Sequence, residues 1–303
     1  MSNPTVRNAR AAGDVAGGLP GEAPGVGSAL DQAGERLRAS TVRILSRGDS
    51  TGGGVAWSEN QVVTNAHVLA GDHFRVETLD GRLLRAHVER QDGWRDLALL
   101  SIEGSLTPAQ PGDEALLRPA SLVIGLGHPM GWAGALSIGI VHRVDRGGAH
   151  GQARWIAADV RLAPGNSGGP LADAQARVVG INTMVSHGLG LAVPVSAIGR
   201  FLVPTAQRRR LGVAMQPVAV RSGSHNRFGM IVVDVVSRGA AASAGVTAGD
   251  VVLAVDGFAL RAPYDFADAL HLSAGEEVRL HVMRDGRSLE LLVHPEPPAA
   301  RAA

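Results

Sequence analysis

The most constraining feature of this chain is a long series of short apolar runs between residues 41 and 194. The runs at 41–45, 54–57, 61–64, 74–78, 83–89 and 97–102 have the length of strands, and Gly, Asp and Pro separate them. A stretch at 106–113, carrying Pro108 and Pro111, interrupts the series. It resumes at 121–125, 136–143, 155–160, 169–171, 178–183 and 189–193. Many short strands at close spacing, with Gly-rich turns, specify all-β barrels or sandwiches. The two sets are nearly equal in length, so two similar β units are expected, joined by the Pro-containing stretch. A short helix is expected at 195–202.

A second break near 204–210 opens a smaller β-rich region. Strands are expected there at 229–236, 250–255, 277–283 and 288–293, with a helix at 263–272. Asp285-Gly286 reads as the tight turn between the last two strands. Ahead of the β units, residues 1–38 are rich in Gly, Ala and Pro and read as a flexible leader, in which 29–38 could form a short polar helix. The expected boundaries are a leader at 1–38, the paired β units at 39–204 and a third domain at 209–297. A chain of 303 residues fits this division, because one core rarely grows past about 250–300 residues.

Composition enters through two zeros. The chain has no cysteine, and all 29 of its Lys+Arg positions are arginine. Without Cys there is no disulfide, thiolate metal site or thiol nucleophile. Without Lys there is no Schiff base, P-loop lysine or Ser–Lys dyad. No metal or cofactor motif is present, so neither is expected. A net charge of +1 with 3% aromatic residues argues against nucleic-acid binding. No apolar run reaches the about 18–20 residues that span a bilayer, and residues 1–38 hold no signal-peptide apolar region. As written, the sequence reads as soluble and unexported; it would be periplasmic if the true start lies upstream.

Three segments carry chemistry. Thr64-Asn65-Ala66-His67 ends an apolar run, Asp96-Leu97-Ala98-Leu99-Leu100 sets an acid at the head of another, and Gly165-Asn166-Ser167-Gly168-Gly169-Pro170 places a serine in a glycine-lined turn. A serine hydroxyl is a weak nucleophile until a base takes its proton. Histidine does this near neutral pH, and a carboxylate fixes the imidazole tautomer. Glycines beside the serine allow a tight turn that presents backbone N–H groups to a developing oxyanion. Asp92 is the rival acid. Asp96 is preferred because it directly precedes the apolar run 97–102, which pins it beside the core.

Together these segments resemble the trypsin-like serine proteases of the HtrA (Deg) family. The order His67, Asp96, Ser167 matches, with spacings of 29 and 71 residues. Gly127-His128-Pro129-Met130-Gly131 is similar to the family's Gly-Asn-Pro-x-Gly loop, with His128 replacing the usual Asn. Gly180-Ile181-Asn182-Thr183 and Ala192-Val193-Pro194 fit the segments after the serine, so the resemblance covers about residues 40–200. Residues 209–295 resemble a PDZ domain. That match rests on Arg210-Leu211-Gly212-Val213, similar to a carboxylate-binding loop, and on the Ala/Gly-rich stretch 240–252, which closes on Val255-Asp256-Gly257.

The resemblance implies a mainly β fold: a chymotrypsin-like double β-barrel followed by a PDZ domain. It makes Ser167 the nucleophile, His67 the general base and acid, and Asp96 the orienting carboxylate, with Gly165 and Ser167 N–H groups as the oxyanion hole. Arg161, six positions before the serine, stands near the base of the specificity pocket, where a trypsin-like acid is absent. Leu162, Met184 and Leu189 make that pocket apolar, which fits the family's usual cleavage after small aliphatic residues. Arg161 reads as turned to solvent or paired with Asp159; pointing inward, it would favour acidic side chains. In the PDZ domain, Leu211, Gly212 and Val213 would capture a C-terminal carboxylate while the peptide adds as a strand. The helix at 263–272 would form the other groove wall, with Tyr264, Phe266 and Leu270 reading as its core face. Arg208-Arg209-Arg210 reads as a solvated linker, with carboxylate steering as the alternative.

The implied activity is ATP-independent endopeptidase action on unfolded or damaged proteins, with C-terminal peptides as further partners and a homo-trimer as the assembly. The competing readings are a peptide-binding chaperone whose cleavage is incidental and a regulatory adaptor with a silent protease domain.

Overall fold

The computed structural model describes residues 25–46, 49–71, 73–204, 209–222 and 225–296; most of the expected leader, residues 1–24, lies outside them. An α-helix, α1 (Val26–Ser40), leads into a first closed barrel made of β1 (Thr41–Ser46), β2 (Asp49–Ser58), β3 (Gln61–Thr64), β4 (Phe74–Thr78), β5 (Leu83–Asp92) and β6 (Leu97–Ile102). A second closed barrel contains β7 (Leu122–Gly127), β8 (Ala135–Asp145), β9 (Trp155–Asp159), β10 (Pro170–Asp173), β11 (Val178–Ser186) and β12 (Leu189–Pro194). Both barrels close in the same way, β1-β2-β3-β6-β5-β4 and β10-β11-β12-β9-β8-β7, all by antiparallel neighbours. Closure removes the exposed edges that short strands would otherwise present.

Each barrel fills with alternating aliphatic side chains. Val42, Ile44, Val62, Val76 and Leu100 meet in the first, and Val123, Val141, Ile156, Leu171 and Val179 in the second. A third cluster joins the barrels: Val55, Leu97 and Leu99 from one side pack with Ile124, Leu126 and Ile181 from the other. Each such side chain stabilises by about 1.5–3 kcal/mol on leaving water. Strand β6 is buried almost throughout because its two faces serve two cores.

Helix α1 corrects the flexible-leader expectation for residues 26–38. It is longer than the polar helix considered at 29–38, and it is a packed element. Leu30, Ala33 and Leu37, spaced by three and four, lie on the inter-barrel core. The helix stops where β-branched Thr41 and Val42 begin β1, and the Thr41 hydroxyl donates back to the Leu37 carbonyl at 2.7 Å. Helix α2 (Val195–Leu202) closes the second barrel with Ala197, Ile198 and Phe201 buried against the same core.

The C-terminal sheet runs β13 (Val213–Ser222), β14 (His225–Val235), β15 (Val251–Val255), β17 (Val278–Arg284) and β18 (Arg287–Val293), with β16 (Phe258–Ala259) on β15. Two helices accompany it, α3 (Ala240–Ser243) and α4 (Pro263–Leu272). Asp285 and Gly286 both have positive φ, 48° and 74°, as the tight turn between β17 and β18 requires. Strand β13 was not among the expected strands. It carries Pro217 and lies at the sheet edge, where a missing N–H costs no ladder bond.

This sheet domain is docked on the barrels through α4. Arg95, only 6% exposed, donates to Asp92 at 2.5 Å and to Asp268 of α4, and stacks on the Tyr264 ring at 4.8 Å. Asp268 also receives Arg200 Nε at 2.9 Å, and Arg154 reaches Asp265 and the Tyr264 hydroxyl. Ala149, from the β8–β9 connection, is buried within the core of the C-terminal domain. Tyr264 therefore departs from the expected core face of α4: Phe266 and Leu270 do face that core, whereas Tyr264 lies between arginines of the barrels. Arg209 is no solvated linker either. It donates to the carbonyls of Ser273 and Gly275 beyond the C-terminal end of α4. Arg208 lies outside the described residues.

Candidate active site

The site lies where the barrels meet. His67 sits in a short helical turn, Ala66–Val68, directly after β3. Asp96 heads β6 with φ 54°, a left-handed conformation that Asp adopts more readily than most residues. Strands β3 and β6 are paired, with Thr64 opposite Ala98, so their ends bring His67 and Asp96 together. Asn65 Nδ2 donates to the Asp96 carbonyl at 2.9 Å and fixes the turn from the other side.

Asp96 collects the hydrogen bonds expected of an orienting carboxylate. It lies 2.8–2.9 Å from His67 Nδ1, receives the His67 backbone N–H at 3.0 Å and receives the Thr183 hydroxyl. Burial pushes the Asp96 carboxyl up, but the bonds from His67 and Thr183 outweigh it and hold the group below the usual carboxylate value. The bond to Asp96 raises the His67 imidazole above its ordinary value against the effect of partial burial. With the proton held on Nδ1, His67 Nε2 keeps its lone pair for a substrate-side proton. The rival acid is used elsewhere: Asp92 pairs with Arg95.

Ser167 comes from the second barrel, in the loop before β10. That loop is clamped to the first barrel, because the Gly53 N–H donates to the Ser167 carbonyl at 2.7 Å. A Cβ on Gly168, where φ is +83°, would lie 2.1 Å from the Gly53 carbonyl oxygen. Only glycine permits this approach. Gly165 has φ +101°, and a Cβ there would lie 2.4 Å from the His128 carbonyl oxygen. Within the loop, Asn166 N–H donates to Ala163, Gly168 N–H to Asn182 and Gly169 N–H to Asn166. The N–H groups of Gly165 and Ser167 have no acceptor among the described residues. Two neighbouring unengaged donors beside a serine hydroxyl form the arrangement that an oxyanion hole needs.

The Ser167 hydroxyl donates to the Thr183 carbonyl at 2.9 Å, and no hydrogen bond joins it to His67 Nε2. Such bonds are often absent without substrate. Thr183, a residue the sequence motif contained without a role, thus touches both Asp96 and Ser167. It stands at an irregularity in the β11–β12 pairing, between Asn182 opposite Ala192 and Met184 opposite Leu191. Bulges re-aim side chains in this way.

The four expected pocket residues separate into two groups. Leu162 is half-buried and packs on the second barrel's core, and a Cβ on Gly190 would meet Leu162 and Val160 at 2.9 Å each. Leu189 is half-buried as well. Met184 is 46% exposed on β11. Arg161 is exposed, and no ion pair joins it to Asp159 among the described residues.

In the C-terminal domain, a cleft of about 510 Å³ runs between β13 and α4, lined by Leu211, Val213, Val236, Phe266 and Leu270 with Arg210 at its end. Leu211, Gly212 and Val213 stand together there, with Gly212 at φ +74°. The N–H groups of Leu211 and Gly212 have no acceptor among the described residues. Beside them, Arg210 and Glu296 exchange two backbone hydrogen bonds.

Comparison with known proteins agrees with this division. Residues 52–181 match the trypsin-like peptidase domain and residues 209–294 the PDZ domain. The chain is 28% identical over 280 residues to a putative serine protease, HhoB, of Synechocystis, covering 83% of this chain and 67% of that one. It is 34% identical over 264 residues to a probable periplasmic DegP-like serine endoprotease of Brucella suis, covering 80% and 52%. This chain therefore spans about half to two thirds of the length of these relatives. Among solved structures, the HtrA-type protease AlgW with a decapeptide superposes with a TM-score of 0.63 at 24% identity, covering 89% of this chain and 99% of that one. AlgW with a tripeptide gives 0.59 at 26% identity, covering 91% and 98%. The chain thus carries a trypsin-like peptidase domain followed by one PDZ domain, and its relatives and structural neighbours include HtrA-type and DegP-like serine proteases.

Proposed function

We propose that this protein is an ATP-independent serine endopeptidase that hydrolyses peptide bonds in unfolded or damaged proteins. The observation that carries this reading is the joint presence of the Asp96–His67 pair and two unengaged N–H groups at Gly165 and Ser167. In the reaction, the Ser167 hydroxyl turns from the Thr183 carbonyl to His67 Nε2, which takes its proton as Oγ attacks the peptide carbonyl carbon. The N–H groups of Gly165 and Ser167 hold the resulting oxyanion, and Asp96 stabilises the imidazolium. His67 then protonates the departing amine, and water, activated by the same nitrogen, releases the acyl group.

Leu162, Leu189 and Met184 favour small aliphatic side chains before the cut, with Arg161 outside the pocket. A C-terminal peptide adds alongside β13, its carboxylate held by the Leu211–Val213 loop. Domain limits of 39–204 and 209–297 and a homo-trimeric assembly complete the proposal; the trimer rests on the family resemblance and is tested by size-exclusion chromatography with light scattering.

The Ser167–Thr183 bond is the one feature that favours the adaptor reading, in which the serine is silent. Casein degradation by the wild type and by Ser167→Ala, with fluorophosphonate labelling of Ser167, separates the two. Labelling and cleavage that vanish in the variant support the endopeptidase. A wild type that neither labels nor cleaves, with or without C-terminal peptides, removes it, and holdase activity surviving in Ser167→Ala reveals a chaperone component.

A further inference from the structure

His128 is the most deeply buried histidine in the described chain, 1% exposed, and the proposed reaction does not use it. It follows β7 and precedes the loop that leads to β8. Both ring nitrogens are engaged. Nε2 lies 3.0 Å from the Val42 carbonyl of β1, and Nδ1 lies 3.2 Å from the Gly134 backbone nitrogen. A carbonyl can only accept and a backbone N–H can only donate. The ring is therefore neutral, with its proton on Nε2 and its lone pair on Nδ1. A second proton on Nδ1 would face the Gly134 N–H donor to donor.

The backbone of the same residue supports the serine loop. His128 N–H donates to the Gly165 carbonyl at 3.0 Å, and the His128 carbonyl lies so close to the Gly165 α-carbon that no side chain fits between them. The ring thus ties β1 of the first barrel and the β7–β8 loop to the strip of backbone on which Gly165 rests. We propose that His128, as the neutral Nε2–H tautomer, is a positioning residue for the oxyanion hole, acting through Gly165. This inference rests on the endopeptidase reading above.

The charged groups around the ring are Arg43 of β1 and Glu77 of β4, which pair with each other, and Arg38 of α1, whose guanidinium approaches Gly134. Burial is the main influence and pushes the imidazole below its ordinary value; the bond to Val42 and the charge of Glu77 oppose it, and Arg43 adds to it. The ring therefore stays neutral where His67 titrates.

The test uses the full chain and three variants. His128→Gln keeps a donor able to reach Val42, His128→Asn keeps an acceptor for Gly134, and His128→Leu keeps neither. Small displacements of catalytic groups cost up to about 10²-fold, and losing an oxyanion donor costs about 10²–10³-fold. For folded His128→Leu, kcat on a peptide substrate is expected to fall about 10- to 100-fold with KM within about threefold. Fluorophosphonate labelling should slow in proportion, and Gln or Asn should restore part of both. A folded His128→Leu with wild-type kcat overturns the proposal, as does a loss confined to KM. Should the variants not fold, ¹⁵N-histidine NMR of the wild type decides: one ring fixed as the Nε2–H tautomer from pH 5.5 to 8 is expected, and an Nδ1–H tautomer or a fully protonated ring in that range overturns it. A wild type that does not label at all indicts the endopeptidase reading, whereas an active wild type with an indifferent His128 indicts only this inference.

Discussion

Two histidines, one in each barrel, face opposite physical problems. His67 is half-exposed and lies against the Asp96 carboxylate, which favours its charged form. His128 is buried between a carbonyl and an N–H group, and burial favours its neutral form. The first environment suits a residue that must gain and lose a proton in each turnover; the second suits one that must never do so. The difference also separates the two kinds of contribution in the proposed reaction: there the first barrel would supply proton transfer, and the second a serine and donors whose value lies in fixed position.

The largest effect should come from removing proton transfer. His67→Ala is expected to lower kcat by about 10⁴-fold or more, because the nucleophile then lacks its base. Steady-state kinetics on a peptide substrate checks this, and a loss below about 100-fold would break the assignment of His67 as base. Gly165→Ala attacks the positional side. Its φ of +101° and the 2.4 Å approach to the His128 carbonyl force the loop to move. A kcat loss of about 10²–10³-fold with near-normal substrate binding is expected, comparable with the loss of one oxyanion donor.

The sequence made some of this arrangement visible and hid the rest. His67, Asp96 and Ser167 each stand in a short segment whose chemistry is local, so adjacent residues are enough to mark them. Thr183, Arg95 and the ring of His128 act through partners 87, 173 and 86 residues away, and no local pattern signals such bonds. The barrel strands were legible because short apolar runs bounded by Gly, Asp and Pro mark them. Strand β13 was not, because Pro217 is a strand breaker everywhere except at an edge. Helix α1 was legible only as the short polar helix considered at 29–38, and its packing was not: its buried stripe is only Leu30, Ala33 and Leu37, too sparse among Gly and polar residues to stand out.

The docking of the PDZ domain tests whether the first barrel's acid is independent of its surroundings. Asp268→Asn removes the charge that faces both Arg95 and Arg200. Breaking a buried pair by deleting one partner costs about 3–5 kcal/mol, and Asn should recover part of it through hydrogen bonding. The expected result is an earlier unfolding transition for the PDZ unit and faster proteolysis of the segment around residue 204. Because Arg95 adjoins Asp96, a fall in kcat accompanying that change would show that docking supports the acid; unchanged kcat would show that the hydrogen bonds from His67, Asn65 and Thr183 hold it alone.

The smallest effect, and the most direct contrast of the two histidines, is on stability as a function of pH. For His67 the folded value is raised, so its contribution is fully present below about pH 6.5, its unfolded value, and is lost as the pH rises through the folded value. For His128 the folded value is lowered, so its contribution is present above about pH 6.5 and is lost as the pH falls toward the folded value. Replacing each with asparagine should therefore alter opposite limbs of a Tm–pH curve. The His128→Asn variant should lose Tm dependence on the acid side, and His67→Asn should lose it on the alkaline side, with the His67 change muted because that ring is half in water. Differential scanning calorimetry between pH 4.5 and 8.5 reads both limbs. If both substitutions flatten the same limb, the two histidines do not occupy opposed environments, and the division of labour between the barrels loses its electrostatic basis.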